Sequence, residues 1–143
     1  MEYHRGVANW IRVSLLAGYW ITIFTSTHLP GRFVQGVVSN DKMAHFCGFA
    51  GLAFLLAWVL APFRPSRRVI VVTFLVAITY AAMDELTQTL VPNRGADIHD
   101  WYADAAGSMI GIFAYMVSWV FASELCSNFL AGSQLTASPQ KVL

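Results

Sequence analysis

Four apolar stretches, each about the length needed to cross a bilayer, constrain this chain more than any other feature. They run over residues 7–26, 41–61, 67–90 and 98–123. At about 1.5 Å of rise per residue, roughly 20 residues cover the ~30 Å hydrocarbon core. Lipid offers no partner to backbone N–H and C=O groups, so such segments become helices. Breakers stand in the gaps: Pro30-Gly31, Pro62 with Pro65, and Pro92 followed by Gly95. Only 12% of the residues are charged, half of the roughly 25% usual in soluble domains. The expected architecture is all-α: a polytopic membrane protein with four transmembrane helices in a compact bundle. The expected partner is the lipid bilayer. No basic run points to nucleic acid, and none is expected as a partner.

The first stretch could pass for a cleaved leader, but it carries Arg12 and the bulky Trp10, Tyr19 and Trp20. No small-residue cleavage site follows, so it is expected to stay as a helix. Trp10 and Trp58 suit interfacial aromatic belts. Cys47 and Cys126 are far apart and read as packed thiols, not a disulfide. Basic residues set the orientation. Arg5, Arg12, Arg64, Arg67, Arg68 and Lys141 share one side, against Arg32, Lys42 and Arg94 on the other. The richer side is expected to be cytoplasmic, with both termini there, in a multi-pass protein of the cell inner (cytoplasmic) membrane.

Six of the eight acidic residues crowd three short blocks at the ends of these stretches. The blocks are Asp41-Lys42-Met43-Ala44-His45, Asp84-Glu85-Leu86-Thr87-Gln88, and Arg94-Gly95-Ala96-Asp97-Ile98-His99-Asp100 with Asp104 beyond. Ionisable groups are costly there and need a reason. With four spans, all three blocks reach the same, extracytoplasmic side.

Helical phase sharpens this. Asp41 and His45 are four residues apart and share a face, as do Asp84 and Gln88, whereas Glu85 points about 100° away from Asp84. Asp97, Asp100 and Asp104 fall within about 60° of one another. Their stripe continues into Gly107 and Gly111, a pair that lets helices approach closely. Some positions have plain structural explanations. Asp41 and Asp97 suit helix N-caps, and Lys42 suits snorkelling. His4, His28 and His99 read as solvated surface residues. Asp84, Glu85 and Asp104 resist such explanations, because an unpaired buried carboxylate costs several kcal/mol. The negative excess calls for protonation, a cationic His45, or a bound metal ion, and the sequence leaves cofactor and metal unknown.

These three blocks, in this order and spacing, resemble the VanZ-like membrane proteins. The residues that carry the resemblance are Asp41-Lys42 with His45-Phe46, Asp84-Glu85 with Gln88, and Arg94, Asp97 and Asp100, followed by Gly107 and Gly111. Ser26-Thr27-His28-Leu29-Pro30 is similar to the polar end of the family's first helix. The resemblance covers roughly residues 10–122, so a VanZ-like domain is expected over 1–125, with a disordered tail over 126–143. The chain departs from the pattern at Asp104, where the family usually carries Asn.

The resemblance implies a link with the bacterial cell envelope and with glycopeptide (teicoplanin) resistance. The expected substrate is a lipid-linked cell-wall precursor or a phospholipid. In an enzyme, His45, Asp84, Glu85 and Asp100 are the catalytic candidates. Glu85 or Asp84 would be the base, His45 the acid/base partner, and Asp100 and Asp104 would orient His45 or bind a metal. Asp41, Lys42, Gln88, Arg94, Asp97 and Asp104 are the substrate-binding candidates, with Arg94 and Lys42 for an anion. The alternatives are a non-catalytic binding element or cation/proton relay, or a structural polar network.

Overall fold

The computed structural model describes residues 2–29, 41–61 and 64–136. The breakers Pro30-Gly31 and Pro62, the cations Arg32 and Lys141, and tail residues 137–143 lie outside the described residues, as do the side chains of 2–5 and 130–136. Four helices follow in order: α1 Glu2–Thr27, α2 Asp41–Leu60, α3 Arg67–Gln88 and α4 Ile98–Thr136. All four are long and apolar enough to cross a membrane. The second and third lie within two residues of the expected spans, while α1 ends within one residue of its own but starts earlier, at Glu2.

Local chemistry sets the ends. Ser66, in an extended conformation, caps α3 by accepting from the Val69 N–H. After Gln88 the chain turns through Asn93, whose φ of 64° is left-handed; asparagine tolerates that region better than most residues. Asp97 caps α4, its carboxylate accepting from the His99 N–H at 2.8 Å. The fourth helix runs past the expected end at Ser123 and through the first part of the expected tail. No proline or glycine interrupts residues 112–131, so nothing there stops it.

The second helix is the centre of the bundle and touches the other three, α4 most extensively. Phe49, Leu52, Ala53 and Ala57 of α2 are fully buried. In lipid, helices associate by close packing more than by the hydrophobic effect, which favours small interface residues. The α2–α4 contact shows this directly. A methyl group at Gly107 or Gly111 would collide with the backbone carbonyls of Phe46 and Ala50. Ala77 and Ala81 are small buried residues of α3, packed in clusters with Ala53 and Ile112 and with Phe49 and Leu52 respectively. Outward-facing Ile21, Leu75, Met109 and Phe113 stay exposed, as a lipid-contacting surface requires.

Arg12, a charge inside an apolar helix, lies over the Trp58 ring, 5.2 Å from its centroid. This contact joins the start of α1 to the end of α2, far from the polar blocks. Cys47 and Cys126 are unpaired but exposed, not packed as expected. Both sit on the bundle's outer surface, where apolar surroundings suit a thiol without burial.

Candidate functional site

The end of the bundle formed by the start of α2, the end of α3 and the start of α4 gathers the three polar blocks. Phase divides them into two adjoining clusters, because Asp84 and Glu85 leave α3 in different directions.

Glu85 faces α2 and α4. Its Oε2 accepts from the Asp97 N–H at 2.8 Å, and its Oε1 lies 3.9 Å from His45 Nδ1. His45 Nδ1 is 3.0 Å from Asp104 Oδ1. All three side chains are buried, Asp104 completely. The Gly107 contact brings α4 close enough to α2 for this pairing, one turn along from Asp104. Two oxygens in the cluster, Glu85 Oε1 and Asp104 Oδ2, are buried without a hydrogen-bond partner.

Lys42 closes the mouth of this cluster. Its ammonium bridges Asp97 at 2.8 Å and the buried Asp100 at 2.7 Å. Asp97 thus combines its cap with an ion pair. The Lys42 hydrogen bond, helped by the His99 N–H, holds its carboxyl well below the usual range. Lys42 is half-exposed, as a snorkelling lysine would be, but it is spoken for by carboxylates.

Asp84 faces α1 instead and is fully buried. It accepts from Thr27 Oγ1 at 3.1 Å, Tyr80 OH at 3.3 Å and Gln88 Nε2 at 2.9 Å. Gln88 in turn accepts from Arg94 at 3.1 Å. His28 belongs here too, which corrects its expected place on the solvated surface. Its Nδ1 is 2.9 Å from the Phe24 carbonyl oxygen, and its Nε2 is 3.0 Å from Thr87 Oγ1. The ring stacks on Phe24 and stands 3.8 Å from Asp84. The end of α1 needs polar partners at this depth, and the turn of α3 supplies them. His99 is exposed, as expected, and bonds Asp97; the side chain of His4 is outside the described residues.

Tyr80 is not singled out by its sequence context, and Thr27 and His28 enter only through the resemblance of residues 26–30. Tyr80 had a readable signal, standing four residues before Asp84 on one face.

A cavity of about 300 Å³ opens between α1 and α2. Ile23, Ala44, Gly48 and Phe49 make its apolar wall, while Asp41, His45 and Arg94 bring charge to it. The site thus offers a guanidinium, an imidazole and carboxylates around a largely apolar space. Such a space suits an amphipathic molecule with an anionic group.

Neither the curated proteins nor the solved structures compared with this chain contain a match. The model of one family, VanZ/LLP1, matches residues 3–121. That match takes in nearly all of α1 to α3, the larger part of α4 and all three polar blocks, so the chain belongs to the VanZ/LLP1 family.

Proposed function

We propose that this protein is a membrane-embedded enzyme acting on a lipid-linked or peptidoglycan-related envelope substrate at the extracytoplasmic face. One observation carries the proposal: His45, tied to Asp104 and facing Glu85, forms part of the wall of the same cavity that Arg94 lines. Arg94 would take the substrate's phosphate or carboxylate through its forked donors. Ile23 and Phe49 would accommodate its apolar part. The His45, Glu85 and Asp104 centre would carry the reaction. Lys42 would hold Asp97 and Asp100 in place at its mouth. Asp84, saturated by Thr27, Tyr80 and Gln88, would position α1 as the cavity's second wall.

Family membership supports a relation to glycopeptide resistance proteins, and the side assigned by the basic residues agrees with precursors that lie outside the cell. The test is mass spectrometry of envelope lipids and cell-wall precursors from cells making wild type, Arg94→Gln, or no protein. A wild-type-dependent species that Arg94→Gln abolishes is the expected result. Identical profiles in all three would overturn the enzyme.

A second function, a proton relay, has one observation in its favour. The buried hydroxyls of Ser108 and Thr73, deeper in the bundle than Asp104, have no hydrogen-bond partner. A proton leak in proteoliposomes, lost in Ser108→Ala, would select this alternative.

A further inference from the structure

We propose that His45, Glu85 and Asp104 form a site for one divalent transition-metal ion, adjoining the cavity between α1 and α2 through His45. The inference rests on the proposed enzyme only for what the ion would do there; the site itself follows from geometry.

The first observation is the pair of orphaned oxygens. Glu85 Oε1 and Asp104 Oδ2 are buried without a hydrogen-bond partner, whereas the other buried carboxylates among the described residues, Asp84 and Asp100, meet donors. Leaving a buried charged acceptor unmet costs several kcal/mol, so the arrangement calls for a cation. Glu85 cannot simply turn away, because the Asp97 N–H holds its other oxygen at 2.8 Å. Backbone anchoring of that kind is how outer-shell groups aim a ligand at a metal.

Distances agree with this. One ligand atom from each of the three residues lies within 4.8 Å of the others. Two ligands at about 2.0–2.2 Å from a tetrahedral zinc stand roughly 3.3–3.6 Å apart. The His45 Nδ1 to Asp104 Oδ1 separation of 3.0 Å needs only to open slightly. The 3.9 Å to Glu85 Oε1 closes with a small side-chain rotation. Charge agrees as well. A neutral imidazole, two carboxylates and a divalent ion sum to zero, which suits a buried membrane site.

A second set, Asp41, His45 and Asp100, also offers one ligand atom each within 4.8 Å of one another. It is the weaker candidate, because Lys42 already occupies Asp100 at 2.7 Å and Asp41 is exposed. The donor types select among ions. Imidazole with carboxylates favours zinc, manganese or iron over magnesium and calcium, which prefer oxygen alone. Next to His45, which shares the cavity wall with Arg94, such an ion would supply a Lewis acid or an activated water.

The test uses full-length protein in detergent, stripped with chelator, reloaded with Zn²⁺ or Mn²⁺ and desalted. Elemental mass spectrometry should find about one ion per chain. Glu85→Gln and Asp104→Asn should each lower affinity at least about tenfold, while Asp41→Asn and His99→Ala keep it. Binding no greater than the chelator-treated background would overturn the proposal. So would loss of the ion in Asp41→Asn with retention in Glu85→Gln. Should the variants misfold, electron paramagnetic resonance of Mn²⁺ on wild type must show coupling to one histidine nitrogen, and its absence would count against the site. A bound ion with an unchanged lipid profile retires the enzyme and keeps the metal; an altered profile without metal does the reverse.

Discussion

Residue by residue, the polar end of the bundle separates groups that hold structure from groups left available. Asp84 and Glu85 are neighbours in sequence, yet Asp84 accepts three side-chain donors and Glu85 keeps one oxygen unmatched. The difference should appear in stability. Replacing Asp84 by Leu strands the Gln88 amide and the Tyr80 and Thr27 hydroxyls in the interior. An orphaned buried donor costs about 1–3 kcal/mol, although hydroxyls can turn to a backbone carbonyl and soften the loss. Asp84→Leu should therefore lower thermal stability in detergent clearly, and Asp84→Asn, which retains an acceptor, less. Equal melting temperatures for Asp84→Leu and wild type would show that the α1–α3 network contributes nothing. Glu85→Gln should be milder than Asp84→Leu, since the Asp97 N–H still finds an amide oxygen.

Among the elements, the α2–α4 contact determines whether His45 meets Asp104 at all. Gly107→Ala places a methyl against the Phe46 carbonyl, and Gly111→Ala does the same at Ala50. Backbone cannot yield as a side-chain tip can, so the helices must part. Overpacking typically costs about 1–3 kcal/mol, so each variant should unfold at lower temperature than wild type. Gly95→Ala, with open space around it, should not. A neutral Gly107→Ala would mean that the two helices are not in close contact. This contact was legible in the sequence because a glycine pair continuing an acidic stripe has few other uses. The meeting of the blocks was legible for a related reason: an even number of spans puts them at one end, and period sets their faces. His28 was not legible. Its role depends on the packing of α1 against α3, which no local pattern encodes. The length of α4 was missed because the apolar character of residues 112–131 fades gradually, while a helix stops only where something breaks it.

For the molecule as a whole, the charged features separate along the bundle axis. Arg12 and Trp58 meet at one end, with Ser66 and the arginines of the α2–α3 link; Lys42, Arg94 and the acidic clusters occupy the other. Between Ser66 and Gln88 lies the whole of α3, 22 residues, or about 33 Å at 1.5 Å per residue. The two ends therefore emerge on opposite sides of any membrane this bundle spans. Arginine-rich ends favour the cytoplasm, and the proposed enzyme needs the His45 centre to face the other side. Cysteine labelling can decide this. In a background with Cys47 and Cys126 replaced by serine, Gly95→Cys should react with a membrane-impermeant maleimide on intact cells. Ser66→Cys should react only after the membrane is opened. Gly95 is exposed and crowds nothing, so its substitution should leave the fold alone. Labelling of Ser66→Cys and protection of Gly95→Cys would turn the site to the cytoplasm and remove outer-leaflet precursors as its substrates. The metal centre would survive that reversal, because its ligands belong to the bundle and not to either side of the membrane.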